Sequence, residues 1–148
     1  MRIGEAVALQ WDDIDLKGRF IEVRRSILRN RVSTPKSGKS RKVDMTPQLT
    51  ESLRRHIVEC KKKGLTLGLG EAHELVFTNE AGAAIDVNSW RRWVFNKALE
   101  KAKLRKIRIH DLRHTYATLR ISAGHKIADV GSQMGHHSVK LTMDVYYH

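Results

Sequence analysis

One stretch of this chain lacks the helical spacing of apolar residues found on either side of it, and that limits what the chain can fold into. Between Trp11 and Met45 the apolar runs are short and broken by turn chemistry. Asp15-Leu16-Lys17-Gly18-Arg19 is a turn signal, and Phe20-Ile21-Glu22-Val23 behind it has the composition of a strand, so a hairpin is predicted there. Ser33 to Ser40 is small, polar and basic and contains Pro35 and Gly38; Arg41 to Met45 then resumes an apolar and polar alternation. This predicts a second hairpin with Lys36 and Lys39 at its tip. From Pro47 onward the spacing is helical. Pro47 opens a helix carrying Leu53, Ile57 and Val58, Gly64 is expected to end it, and Lys61-Lys62-Lys63 suits the negative end of its dipole.

The remaining segments agree with a mainly helical chain. Arg2 to Leu9 reads as the end of a helix. Leu75-Val76-Phe77-Thr78 reads as a short strand and Asn79 to Ala84 as a turn. Asp86 or Asn88 caps a helix through Trp90, Trp93, Phe95 and Leu99, whose aromatic rings are expected in the core. From Ile109 the chain is helical, broken at Gly124 and at Gly135-His136. No repeat or linker interrupts residues 1–148, so one α+β domain is expected, mainly helical with a small antiparallel sheet in its first half.

Charge narrows the partner. The chain has 28 Lys and Arg against 16 Asp and Glu, a formal +12, which points to a polyanion. Ribosomal, chromatin and membrane-surface proteins share that property, so charge by itself says nothing about catalysis. Cys60 is the single cysteine, which excludes an internal disulfide framework and a cysteine-rich zinc site; it is expected as a packed small hydrophobe in a reducing cytoplasm. His56, His73, His114 and His125 fit no metal spacing. No apolar run approaches the roughly 18 residues of a membrane helix and no signal-peptide pattern is present, so a cytoplasmic protein without a membrane partner is expected.

His110 and Arg113 lie three residues apart in Ile109-His110-Asp111-Leu112-Arg113-His114-Thr115-Tyr116, so on a helix both project from one face and can present donors to one phosphate. Alone, such a pair reads more readily as a solvated polar face. It is followed by Met134-Gly135-His136-His137-Ser138 and then Thr142-Met143-Asp144-Val145-Tyr146-Tyr147-His148. The series His-Asp-Leu-Arg-His-Thr, Gly-His, Thr-x-x-x-Tyr-x-His resembles the C-terminal signature of the tyrosine recombinase (phage integrase) family, in the spacing of phage and conjugative-transposon integrases. Met1-Arg2-Ile3-Gly4-Glu5-Ala6 with Leu9-Gln10-Trp11-Asp12-Asp13-Ile14-Asp15 is similar to the family's first box, and Thr34-Pro35-Lys36-Ser37 with Ser40-Arg41-Lys42-Val43 resembles the hairpin bearing its catalytic lysine.

The resemblance implies the recombinase catalytic-domain fold, with Arg2 and Arg113 as an arginine pair, Lys36 on the hairpin, His110 and His136 as two histidines, Tyr146 as nucleophile and Glu5 as a supporting acid. It implies cleavage and rejoining of double-stranded DNA through a 3′-phosphotyrosyl ester, with no cofactor and no metal. A full-length member is expected as a homotetramer on DNA and this chain alone as a monomer. The chemistry is consistent with those residue types. An ester to tyrosine conserves the energy of the broken phosphodiester, two guanidiniums neutralise the non-bridging oxygens, and a lysine can protonate the departing 5′ oxygen.

Tyr147 competes with Tyr146, His137 with His136 and Lys39 with Lys36, while Tyr116 is expected to pack and His148 has no assigned role. Arg24, Arg25, Arg29 and Arg31 suit phosphate contacts or a solvated strand face. By the same resemblance the N-terminal core-binding domain and the C-terminal tail of intact members are missing, so the 148 residues are expected as a fragment that binds DNA weakly and recombines poorly. Gly131 stands in a helix where a larger residue is usual, at a cost of about 1 kcal/mol against alanine. Three other functions share part of this reading: an inert DNA-binding module, a type IB topoisomerase and a metal-dependent nuclease.

Overall fold

A computed structural model of the chain describes residues 1–28, 31–34, 38, 40–66, 74–136, 138, 140 and 142–143. Helix α1 (Ile3–Val7) and a short 3-10 turn (Trp11–Asp13) lead into strands β1 (Ile14–Asp15) and β2 (Phe20–Val23), the first predicted hairpin. The Asp15 carboxylate closes its turn, accepting from the backbone of Lys17 at 3.0 Å and of Gly18 at 2.6 Å.

The second hairpin forms differently from the expectation. Strands β3 (Ser26–Leu28) and β4 (Arg31–Ser33) pair with each other, while β5 (Arg41–Asp44) pairs with β2 in the register Ile21↔Val43 and Val23↔Arg41, giving the order β1-β2-β5. Burial explains the choice. Val43, Ile21 and Val23 are 8%, 3% and 1% exposed on one face, whereas Val32 of β4 is 67% exposed and offers β5 no apolar face to complete. Lys36 and Lys39 lie outside the described residues.

Helix α2 (Pro47–Thr66) begins with Thr46 Oγ1 accepting from the Leu49 backbone at 3.2 Å and lays Thr50 and Leu53 toward the sheet. It runs two residues past Gly64, the expected end, because Gly64 is itself a buried part of the last turn. Leu9, Ile21, Val23, Val43, Met45, Leu53 and Val76 form the main core. The segment around Val76, expected as a short strand, forms only isolated bridges, Leu75 with Gln10 and Thr78 with Ala84, and its backbone donates to Leu9 at 2.8 Å. His56, tilted against Trp11 and stacked on Phe77, bonds the Val76 carbonyl at 2.8 Å through Nε2.

Asp86, one of two candidate caps, accepts from the Ser89 backbone at 2.7 Å and starts α3 (Val87–Trp90), which continues through a π-turn (Arg91–Phe95) into α4 (Asn96–Lys101). The expectation that these aromatics share a core is corrected for Trp93, which is 56% exposed with the Arg92 and Lys97 cations each 5.0 Å from its ring centroid. The wide π-turn inserts an extra residue and rotates the helix beyond it, so Leu99 faces inward while Trp93 is turned out. Helices α5 (Ile109–Ser122) and α6 (Ile127–Met134) make a second core from Ala117, Val130 and Met134, and α6 also packs on β5. The α+β class is as expected. No helix among the described residues is long and apolar enough to cross a membrane.

Candidate active site

Glu5 is the buried centre of the site, 2% exposed on α1. The Arg2 backbone donates to its Oε2 at 2.7 Å and Arg2 Nη1 to its Oε1 at 3.2 Å. Arg41 reaches across from β5 and takes both oxygens, Nη1 to Oε1 at 3.1 Å and Nη2 to Oε2 at 2.6 Å. Burial pushes the Glu5 carboxyl up, but the hydrogen bonds from Arg41 and Arg2 and the charge of both guanidiniums outweigh it and hold the pKa below the usual value.

The C-terminus of α6 organises the cations. Arg41 Nε donates to the Gln133 carbonyl at 2.8 Å, Arg113 Nη2 to the Met134 carbonyl, and Arg2 Nη2 to the Gly135 carbonyl at 3.3 Å. Consecutive helix-end carbonyls, orphaned by the end of the helix, thus each hold a different guanidinium against the partial negative charge there. Arg113 is 6% exposed, and among the described residues its Nη1 has no hydrogen-bond partner. Burial, then Arg2, lowers its pKa to about 10, so it stays charged at neutral pH. A buried guanidinium with an unsatisfied donor is prepared for an anion.

His136 leaves this helix end through Gly135, which has φ 68° and ψ 43°, a left-handed conformation that suits glycine; the His136 backbone donates back to Gly131 at 3.0 Å. Its Nδ1 lies 2.9 Å from Thr142 Oγ1, and Thr142 is fully buried. A Cβ on Gly131 would stand 2.7 Å from that same oxygen. The glycine that looked out of place in the sequence makes room for the residue that orients His136. Burial, then Arg113 and Arg2, lowers the His136 pKa to about 4, and burial with His114 and Arg113 lowers that of His110. Both rings are neutral at physiological pH.

Of the expected site residues, Arg2, Glu5, Arg113 and His136 come together. His110 shares α5 with Arg113 and is exposed, its ring edge-on to His114 at 4.8 Å. Tyr146 and its rival Tyr147 lie outside the described residues, as do His137, His148 and both candidate lysines. Tyr116 packs as expected, its hydroxyl donating to Gln133 Oε1 at 2.7 Å.

Two contributors were missed. Arg41 carried a signal: it is in phase with Val43 on a strand whose Val43 face is buried, and a charge on that face needs a buried partner. Thr142 stood at the head of the Thr-x-x-x-Tyr-x-His motif without an assigned role, and the mid-helix glycine was the one hint of its contact with α6. Among the described residues no group of three or more His, Cys, Asp or Glu side chains is placed to hold a metal ion.

A domain whose helix ends gather arginines and a histidine around one buried carboxylate is the site of a known class. The model of the phage integrase family matches residues 1–148, and the chain belongs to that family. It is 32% identical over 155 residues to the ICEBs1 integrase of Bacillus subtilis, covering 100% of this chain and 41% of that protein. It is 28% identical over 165 residues to the putative defective protein IntQ of Escherichia coli, covering 99% of this chain and 41% of that one. Among solved structures it resembles the XerA recombinase, with a TM-score of 0.74 and 26% identity over 99% of this chain and 48% of that one. The Tn1549 transposon integrase in complex with circular intermediate DNA gives a TM-score of 0.78 and 25% identity over 100% of this chain and 51% of that one. The chain therefore spans about two fifths of these curated relatives and about half of these solved chains.

Proposed function

We propose that residues 1–148 form the catalytic domain of a site-specific DNA recombinase that breaks and rejoins strands through a 3′-phosphotyrosyl intermediate, with Tyr146 as nucleophile. The observation that carries this reading is the convergence of Arg2, Arg113 and His136 at the end of α6, with a donor on Arg113 that has no partner among the described residues. Such a cluster suits the non-bridging oxygens of a phosphodiester, where two guanidiniums stabilise charge accumulating in the transition state. Neutral His110 can accept or orient the tyrosine proton, His136 can donate to a phosphate oxygen, and Lys36 can protonate the departing 5′ oxygen.

Family membership and the DNA complexes of the Tn1549 integrase support double-stranded DNA as the partner. Assembly as a tetramer on DNA, work in the cytoplasm and a reaction without metal belong to the same proposal. Strand exchange is proposed for the whole protein, because this chain spans about two fifths of its curated relatives.

The test is a suicide DNA substrate nicked near candidate sites, incubated with and without chelator with wild type, Tyr146→Phe and Tyr147→Phe. A denaturant-resistant protein–DNA adduct lost only in Tyr146→Phe is the expected result. An adduct lost only in Tyr147→Phe reassigns the nucleophile. No adduct from the whole protein on its own site favours an inert DNA-binding module, adduct with relaxation but no exchange a topoisomerase, and cleavage abolished by chelator a metal-dependent nuclease.

A further inference from the structure

Arg41 forms the tightest ion pair at the site, yet the proposed reaction gives it no task. Its side chain is 8% exposed, against 28% for Arg2 on the same carboxylate. Arg113 is as enclosed, but each of the three Arg41 nitrogens already has a protein acceptor, on Gln133 or Glu5, whereas Arg113 keeps an Nη1 without one among the described residues and Arg2 is open to DNA. The division of Glu5 between them is unequal: Arg41 holds both oxygens in a fork, while the Arg2 side chain makes one contact at 3.2 Å and turns another nitrogen toward Gly135.

We propose that Arg41 is a positioning residue for phosphate binding: by occupying both oxygens of Glu5 it keeps the Arg2 guanidinium available to the phosphate. This rests on the reading of Arg2 and Arg113 as a phosphate-binding pair. A carboxylate this deeply buried cannot stay ionised without a close cation. Without Arg41 the one other side chain bonded to Glu5 among the described residues is that of Arg2, whose fork would close on it. The charge changes as well. Three guanidiniums around one carboxylate leave +2 in the buried cluster, and removing Arg41 leaves +1. A phosphodiester attacked by a phenolate passes from one negative charge to two, so the lost charge is the one that the transition state needs.

The surroundings are shaped for this side chain. Arg41 Nε is fastened to the Gln133 carbonyl, and Gly135 passes so close that a Cβ there would lie 3.0 Å from the Arg41 guanidinium carbon. A rival role, in which Arg41 merely ties down the end of α6, uses only the Gln133 bond and has no need of Glu5. The two roles separate in the response to neutralising Glu5.

The experiment titrates inorganic phosphate into the 148-residue protein while following the Nε–H resonances of Arg2 and Arg113 by NMR. Arg41→Met is expected to weaken phosphate binding about tenfold, Arg41→Lys by less than about threefold, and Arg41→Met combined with Glu5→Gln to recover to within about threefold of wild type. Unchanged affinity in Arg41→Met, or a combined variant as weak as the single one, overturns the proposal, as does a wild type whose Arg2 signal ignores phosphate. Should Arg41→Met fail to fold, the combined variant and Arg41→Lys decide. Phosphate binding requires neither DNA nor turnover. A normal phosphate series without a DNA adduct sinks the strand-exchange reading alone, and an adduct alongside an unresponsive phosphate series sinks the role of Arg41 alone.

Discussion

Replacing Gly131 by alanine should destabilise this protein, although alanine is the better helix former. The added Cβ meets Thr142 Oγ1 at 2.7 Å, and Thr142 is fully buried with that oxygen bonded to His136 Nδ1. Rotating the hydroxyl away gives up the His136 bond; leaving it in place forces α6 aside. Forcing α6 aside costs about 1–3 kcal/mol or, in the other case, the lost hydrogen bond about 1, and the helix regains about 1 from losing its glycine. The net is a loss of up to about 2 kcal/mol, a fall of up to about 6 °C in Tm for a domain of this size. A Thr142→Ala background isolates the clash. With the oxygen removed, the nearest remaining atom, the Cβ of residue 142, is 3.7 Å away, an ordinary contact. Gly131→Ala should then stabilise by about 0.5–1 kcal/mol. Urea denaturation of wild type, both single variants and the pair measures the cycle. The same sign for Gly131→Ala in both backgrounds would refute the assignment of Thr142 as the residue that requires glycine.

Burial and charge give two further outcomes. Leu53→Ala, 4% exposed in the main core, should cost about 2–5 kcal/mol, while Trp93→Ala should change stability by less than about 0.5 kcal/mol despite removing a larger side chain; thermal melts of both test the correction made to the Trp93 helix. His136 takes up a proton near 6.5 when unfolded and only near 4 when folded, so between those values the unfolded chain binds more protons and stability rises with pH. His136→Asn should flatten that rise, and urea midpoints measured at the two ends of the window, equal in slope for both proteins, would contradict it.

The sequence was most legible where one periodicity acted alone. The β1–β2 hairpin, α2 and the helical second half come from turn chemistry and apolar spacing, and the motifs led directly to Arg2, Glu5, Arg113 and His136. What escaped was set by contacts between distant segments. Strand β5 chose β2 over its nearer neighbour because Val43 completes a buried face with Ile21 and Val23, a preference invisible until the sheet is assembled. Trp93 obeyed the helical pattern until a π-turn moved it out of phase. Arg41 read as one more cation on a basic hairpin, since nothing local says that Glu5, 36 residues earlier, will stand beside it.

Gathering cations at a helix C-terminus looks at first like a poor way to build a phosphate site, because that end of the dipole repels anions. Here the carbonyls are already spent. Gln133, Met134 and Gly135 accept from Arg41, Arg113 and Arg2 respectively, so their partial charges are neutralised by guanidiniums. Arg41 spends its other edge on Glu5, whereas the forks of Arg2 and Arg113 are held on one side and keep donors for a phosphate, their rotamer entropy lost on folding and not on binding. Lysine in the same places would fix one point charge without presenting a second edge. For Arg113, whose Nη1 has no partner among the described residues, this predicts that Arg113→Lys folds, retains part of the charge effect and still loses most of the phosphate affinity. If the lysine variant binds phosphate as tightly as wild type in the titration used for Arg41, charge alone suffices and the helix-end scaffold is incidental.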